Sequence, residues 1–281
     1  MNQPYFCLQN VSYAYPDGTK AIQNITITIP QNAKIAVVGK NGSGKSTFFQ
    51  LLMGLIKPTS GQLLFQNEKV QYSKKALKAL RQQIGIVFQN ADNQLFAGTV
   101  KQDIAIGPSN LGWSYEKVEE TTAKAIALTQ LEPLQYRPIH FLSGGQKKRV
   151  SIAGVYAMEP NLLLLDEPTG GLDNYFTTQM LGYLRQLENN ERTFLLSTHD
   201  IQLAYEWADL FIVFDEGQIA YFGDAQGLFN NDDLLASAHL DKPLLFEIAN
   251  LLLKKGYSLS QHEYPKTKNE LITQFQKLNI L

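Results

Sequence analysis

The sequence predicts an α/β fold built on a largely parallel sheet with helices on both faces. Three observations carry that prediction. Short apolar runs, "KIAVV" at 34–38, "NLLLLD" at 161–166, "TFLLST" at 193–198 and "LFIVFD" at 210–215, alternate with helical stretches. That is the pattern of strands buried on both faces. A glycine-rich run, "GKNGSGKST" at 39–47, separates the first of these strands from a helical stretch. The chain has 281 residues, 44% apolar and 18% charged, which suits one large globular domain or a domain with an appendage.

Taken in order, residues 5–14 and 21–29 alternate or run apolar around "YPDGTK". Its "PDG" is a turn signal, so two antiparallel strands joined by a loop are expected. After "KIAVV" a helix should run from about Lys45 to Leu55. "GQLLF" and "IGIVF" read as further strands, and from about 99 to 158 the pattern is helical. Helices near 174–188 and 200–208 separate the last three apolar strands. Beyond Gly223, "DAQGLFNNDDLLASAHL", "PLLFEIANLLLKKG" and "TKNELITQFQKL" read as short helices with no chemical motif. Thr267 and Glu270 have the spacing of a capping box. The expected division is therefore 1–223 for the main unit and 224–281 for a helical extension, a packing or oligomer-contact appendage.

Bulk properties exclude several roles. With 25 basic and 26 acidic residues the net charge is −1, and a nucleic-acid partner gets no support. The single cysteine, Cys7, allows no internal disulfide and reads as a core residue. "MNQPYFCLQN" lacks the basic and apolar segments of a secretory signal. The longest apolar runs fall well short of the ~18–20 residues that a membrane helix needs.

"GKNGSGKST" fits G-x-x-x-x-G-K-[ST] in its required place between strand and helix. Gly39, Gly42 and Gly44 let the backbone curl so that its N–H groups converge on an anion. Asn41, Ser43 and Thr47 complete the phosphate cradle at the helix N-terminus, Lys45 should reach the β- and γ-phosphates, and Ser46 should ligate Mg²⁺. "LLLLDEP" supplies the acids: Asp166 to hold Mg²⁺ through water, and Glu167 to orient a water and take its proton. His140, His239 and His262 show no metal-ligand spacing.

"LSGGQ" at 142–146, between the phosphate loop and the acidic strand, completes a resemblance to the ATP-binding-cassette (ABC) ATPases. That resemblance implies a P-loop NTPase cassette: a mixed-sheet core, an antiparallel β subdomain, a helical signature subdomain over about 90–158 and a short helical C-terminal extension. It also implies ATP and Mg²⁺ as ligands. Gln89 in "VFQN" matches the glutamine loop, with an amide suited to both Mg²⁺ and the attacking water. Asp173 in "GGLD" matches the D-loop, His199 in "STHD" the histidine that bonds the γ-phosphate, and Tyr15 the aromatic that stacks on adenine, with Tyr13 as the second choice. In this family two cassettes pair head to tail. Ser143, Gly144, Gly145 and Gln146 of one chain would then cap the nucleotide held by Lys45 of the other, whether identical or homologous.

A narrower resemblance lies in "VFQNADNQLFAGTVKQDIAIGPSNLG" and "LSGGQKKRVSIAGVYAMEPNLLLLDEPTGGLD". These are similar to ATPases of energy-coupling-factor importers, near the cobalt and nickel branch called CbiO. That likeness implies a place on the cytoplasmic face of the membrane, under an integral coupling protein that holds a substrate-binding membrane protein. The segment from Gln89 to about Val100 would shape the groove for the coupling protein. Asn174 and Ala91 stand where the family commonly has proline. The alternative is a soluble cassette ATPase acting on nucleic acid or a protein complex. No sustained heptad run between Lys45 and Ser143, and a single cassette, weigh against it. A nucleotide-gated scaffold without hydrolysis is a third reading, opposed by the presence of both Glu167 and His199.

Overall fold

The computed structural model describes residues 4–171, 174–187, 192–257 and 264–278. Asp173 and His262 lie outside the described residues. Among the described residues ten strands are formed: β1 Phe6–Ala14, β2 Lys20–Ile29, β3 Lys34–Val38, β4 Ser60–Phe65, β5 Glu68–Lys69, β6 Ile84–Val87, β7 Leu162–Asp166, β8 Thr193–Ser197, β9 Leu210–Asp215 and β10 Gln218–Gly223. The helices are α1 Lys45–Leu52, α2 Lys74–Gln83, α3 Val100–Leu111, α4 Tyr115–Leu128, α5 Gly144–Tyr156, α6 Asn174–Leu187 and α7 Ile201–Trp207, followed by α8 Ala225–Phe229, α9 Asp232–Ala238, α10 Leu244–Lys254 and α11 Lys268–Lys277.

The strands form two sheets. An antiparallel sheet has the order β2-β1-β4-β5, and a second sheet has the order β10-β9-β3-β8-β7-β6. In the second, β3, β6, β7, β8 and β9 run parallel, and β10 pairs antiparallel with β9. The core is thus mixed, with a separate antiparallel sheet, as expected.

All five residues of β7 and of β8 are buried, because helices cover both faces of the sheet. The two-residue period of a strand divides each run between two cores. Ile35, Val37, Leu162 and Leu164 face α1 and the antiparallel sheet, packing with Phe48, Phe49 and Leu52. Ala36, Val38, Leu163 and Leu165 face the other way, onto Ile152, Met180, Leu184 and Trp207. A third cluster, with Val100, Ile104, Ala125, Ile126 and Val150, joins α3, α4 and α5 into a helical subdomain. Thr99 with Gln102, Ser114, and Ser143 with Gln146 cap the starts of α3, α4 and α5.

Several expectations are corrected. The helix after the glycine loop stops at Leu52, and the chain turns through Gly54 at φ 61°, where a Cβ would lie 2.7 Å from Leu77. α2, β5 and β10 were not foreseen: α2 buries only Leu80, β5 has two residues and β10 is never fully buried, so none shows the run of buried apolar residues that marks the central strands. At the start of α11, Thr267 Oγ1 accepts from Glu270 N, but the Glu270 carboxylate accepts from Lys266 N rather than from the cap residue. Only half a capping box forms. Among the residues after Gly223, Leu228, Phe229, Leu235 and Phe246 pack into the second core.

Candidate functional site

β3, β8, β7 and β6 lie side by side, and the loops at their carboxyl ends open on one edge of the sheet. A crevice beyond the carboxyl ends of parallel strands is the usual ligand position in such sheets. A cavity of about 500 Å³ lies there, lined by Tyr15, Asn41, Gly42, Gly44, Lys45, Ser46, Thr47, Gln89, Asp166, Glu167, Ser197 and His199, among others. The fold therefore brings together, around one space, residues from five separate stretches of sequence.

The glycine loop is fixed by close backbone approaches. Gly39 has φ 139°, and a Cβ there would sit 2.2 Å from the Phe214 carbonyl oxygen. Gly44 has φ 112°, and its Cβ would lie 2.6 Å from the Ala21 carbonyl oxygen. Any larger residue would push β9 or β2 away. Gly39 and Ser43 lie behind the cavity wall. Ser43 is buried, its Oγ has no hydrogen-bond partner, and its carbonyl accepts from Gly217 N.

Lys45 Nζ donates to the carbonyls of Gly39 at 2.7 Å and Lys40 at 2.8 Å. Burial pushes this ammonium below the usual lysine range, and the charges of Glu167 and Asp166 oppose the shift. The cation is held at the loop and faces two acids across the cavity. Thr47 Oγ1 and the Tyr15 hydroxyl are 2.9 Å apart, so Tyr15 is tied to the first turn of α1. Tyr13 packs edge-on against Tyr15 at 5.1 Å but lines a different depression, with Ser12 and Gln218. Of the two tyrosines, Tyr15 borders the phosphate loop.

Glu167 follows β7 with φ 47°. Its N–H donates to the Ser197 carbonyl, and its carbonyl accepts from Gly170 N. These bonds hold an uncommon left-handed glutamate in place. Its Oε2 lies 2.9 Å from His199 Nδ1. Burial raises the Glu167 carboxyl above the ordinary range, with His199 and Lys45 pulling the other way. A buried carboxylate of raised basicity, fixed by an imidazole, is suited to take a proton from water.

The donor set also fits Mg²⁺. Asp166 Oδ1 is buried without a hydrogen-bond partner, and Ser46 and Gln89 line the same cavity. Among the described residues, no group of three or more His, Cys, Asp or Glu side chains could hold a metal. A single carboxylate with neutral oxygens suits an ion that keeps waters and shares substrate phosphates, which is the habit of Mg²⁺.

The signature residues lie elsewhere. Gly144 lines a second cavity with Asp92, Lys147, Gly170 and Gly171, and among the described residues only Gln89 and His199 border both spaces. Ser143 Oγ accepts from Gln146 N, and Gln146 Oε1 accepts from Ser143 N. A Cβ added at Gly144 would meet nothing within 4 Å. Nothing among the described residues requires a glycine there.

Two site residues escaped sequence reasoning. Ser197 is fully buried with an unpartnered hydroxyl; it pairs with Asp166 in the β7–β8 ladder. Lys148 is buried on α5, and burial pushes its ammonium down to about 8. Its signal was a lysine four and seven positions before Ile152 and Val155, on an apolar helix face.

Comparison with known proteins agrees with this geometry. Residues 22–170 match the family model described as "ABC transporter". A putative ABC transporter ATP-binding protein of Methanosarcina mazei is 41% identical over 97% of this chain and 60% of its own length. The energy-coupling factor transporter ATP-binding protein EcfA2 of Methanospirillum hungatei is 41% identical over 90% of this chain and 64% of its own. The chain thus spans about three fifths of the length of these two relatives. The structure of cbiO1 from Clostridium perfringens, part of the ABC transporter complex cbiONQ, matches with TM-score 0.75 and 37% identity, over 90% of this chain and 97% of that one. The chain belongs to the ABC transporter family, as one of its ATP-binding cassettes.

Proposed function

We propose that this ABC ATPase is the nucleotide-hydrolysing subunit of an energy-coupling-factor type importer for a small micronutrient, a cobalt or nickel ion or a vitamin. The observation that carries hydrolysis is the Glu167–His199 pair at 2.9 Å, in the same cavity as Lys45. A scaffold that only bound nucleotide would not need it. The importer assignment is supported by the likeness to the Methanospirillum protein and to cbiO1.

In this reading Tyr15 stacks on adenine, and the loop from Gly39 to Thr47 cradles the phosphates. Lys45 leaves its two carbonyls for the β- and γ-oxygens. Ser46, Asp166 and Gln89 hold Mg²⁺, which when bound neutralises charge on those oxygens. Glu167 takes the proton of the attacking water, and His199 holds the carboxylate and bonds the γ-phosphate. Asp173 has its D-loop role by resemblance alone.

The open space at Gly144 supports pairing with a second cassette, identical or homologous. Outside its own helical turn, no described residue comes within 4 Å of a Cβ placed at Gly144, so the described chain gives no reason for a glycine there. A phosphate of the partner's nucleotide, approaching the bare backbone of Gly144 and Gly145, supplies one. ATP would then favour the closed dimer by contacting only that state, and hydrolysis would release it. Among the described residues no helix is long and apolar enough to cross a membrane. The proposed place is the cytoplasmic face, beneath the coupling protein and its substrate-binding partner.

Docking would use a groove of about 290 Å³ whose walls include Met53, Ile86, Leu95, Phe96 and Ile106. Phe96 is 77% exposed at its rim. Purification from membranes tests the assignment: integral membrane proteins should co-purify, with ATP hydrolysis stimulated by the assembly. A chain found only with ribosomes, nucleic acid or soluble complexes would favour the alternative cassette class.

A further inference from the structure

Lys148 is 4% exposed, and among the described residues no carboxylate is within ion-pair distance of its ammonium; Asp166 and Glu167 act on it only through space. Instead it donates to two backbone carbonyls, those of Phe88 and Gln89. Their positions matter. The Phe88 carbonyl belongs to the peptide plane before the Gln89 Cα, and the Gln89 carbonyl to the plane after it. Fixing both planes fixes the two backbone torsions of Gln89, and with them the direction in which its side chain leaves. A buried charge is costly unless hydrogen-bonded, so the ammonium does not release these carbonyls readily.

The neighbouring contacts brace the same segment. Gln94 Oε1 accepts from Phe88 N, and Gln94 Nε2 donates to the Ile86 carbonyl. Lys147 Nζ pairs with Asp92 at 2.6 Å. Among the described residues, however, only Lys148 holds both planes around Gln89.

We propose that Lys148 is a positioning residue that aims the Gln89 amide into the nucleotide cavity and ties that aim to α5, the helix that begins with the signature. Resting on the reading of Gln89 given above, it has a mechanical consequence. The N-terminus of α5 faces the partner's nucleotide, and Lys148, one turn further along, holds a side chain serving this chain's own nucleotide. A displacement of α5 at one site thereby reorients Gln89 at the other.

The test uses the full-length chain, together with the cassette it purifies with. Lys148→Met keeps the stem and removes the donors. Amide hydrogen exchange over residues 88–92 is expected to rise. The kcat for ATP should fall on the order of 10–100-fold, the scale of a misplaced catalytic group, with KM and binding of a fluorescent ATP analogue unchanged. Lys148→Arg, which restores charge and donors, should recover most of the turnover. Combining Lys148→Met with Gln89→Ala should be no worse than Gln89→Ala alone, because the lysine acts through the glutamine. Unchanged exchange over 88–92, or losses that multiply in the double variant, overturns the proposal. Should Lys148→Met fail to fold, Lys148→Gln replaces it: one atom shorter, it reaches one carbonyl, and a smaller loss with the same non-multiplying pattern is expected. If Gln89→Ala alone leaves turnover intact, the functional reading of Gln89 is at fault, and the exchange measurement still decides whether Lys148 holds it.

Discussion

His199 Nδ1 and Glu167 Oε2, 2.9 Å apart, join the ends of β8 and β7. The pair is lopsided: the imidazole is 71% exposed and the carboxylate 8%. The histidine can swing with what binds, while the glutamate stays where the left-handed turn puts it. Glu167→Gln keeps the shape and removes the base. Nucleotide binding should persist, and hydrolysis should fall by ~10²–10⁴-fold, the typical contribution of a positioned base. Phosphate release and size-exclusion runs with ATP and Mg²⁺ check this: turnover near normal would place the base elsewhere.

Lys45→Ala is expected to weaken ATP binding and abolish hydrolysis. In the structure the ammonium is stored on the carbonyls of Gly39 and Lys40, and alanine leaves both oxygens without that donor and the cavity without that cation. Titration with a fluorescent nucleotide and a steady-state ATPase assay measure the two effects. Normal turnover in this variant would remove Lys45 from the phosphate site.

Much of this was legible beforehand because the informative signals were local. "KIAVV" and "LLLLD" announced strands covered on both faces, and both are buried as such. The glycine loop needed only its own spacing. What stayed hidden depends on long-range packing. α2 is short and buries a single leucine, so little apolar surface marks it. Ser197 gains its place only through register with Asp166. Lys148 reads as one more solvated lysine in "QKKR" until the fold carries Phe88 and Gln89 over it. The residues after Gly223 look like an appendage because their helices are short, yet their aromatic side chains complete a core that the preceding chain leaves open.

The last point has a measurable consequence. Phe246 is fully buried, stacks on Tyr264 at 4.4 Å and meets Phe229 and Tyr205 at 5.5 and 6.0 Å. Phe246→Ala should cost about 3–5 kcal/mol, as for other large-to-small core changes. A urea midpoint close to that of the parent chain would show that the tail packs only loosely.

The proposed docking to a membrane coupling protein is best probed at Phe96. Leu95 is 9% exposed and belongs to the helical-subdomain core, so a charge there would damage the fold itself. Phe96 stands out at 77%. Phe96→Asp should leave nucleotide binding intact, lower co-purification of the coupling protein, and uncouple transport from hydrolysis. Normal membrane association and transport would show that this rim is not the docking groove.

The signature can be tested by mixing two defective chains. Lys45→Ala breaks the phosphate loop and leaves α5 untouched. Gly144→Asp does the reverse. Because a Cβ at Gly144 meets nothing within 4 Å of its own chain, the aspartate should fold normally. It fails only when a partner's phosphates arrive, through bulk and through repulsion between like charges. Each chain alone should associate poorly in ATP. In the mixed dimer, one interface pairs two broken halves; the other pairs the intact loop of the Gly144→Asp chain with the intact signature of the Lys45→Ala chain. Nucleotide-dependent association, read by size exclusion or crosslinking, should therefore return only on mixing. Association is the better readout, since turnover can require both sites. If the signature served its own chain, both would stay defective and mixing would restore nothing. Inactive tagged chains are first shown to co-purify in a mixed pair, so that a failure to recover reports on the signature rather than on an obligate partner of different sequence.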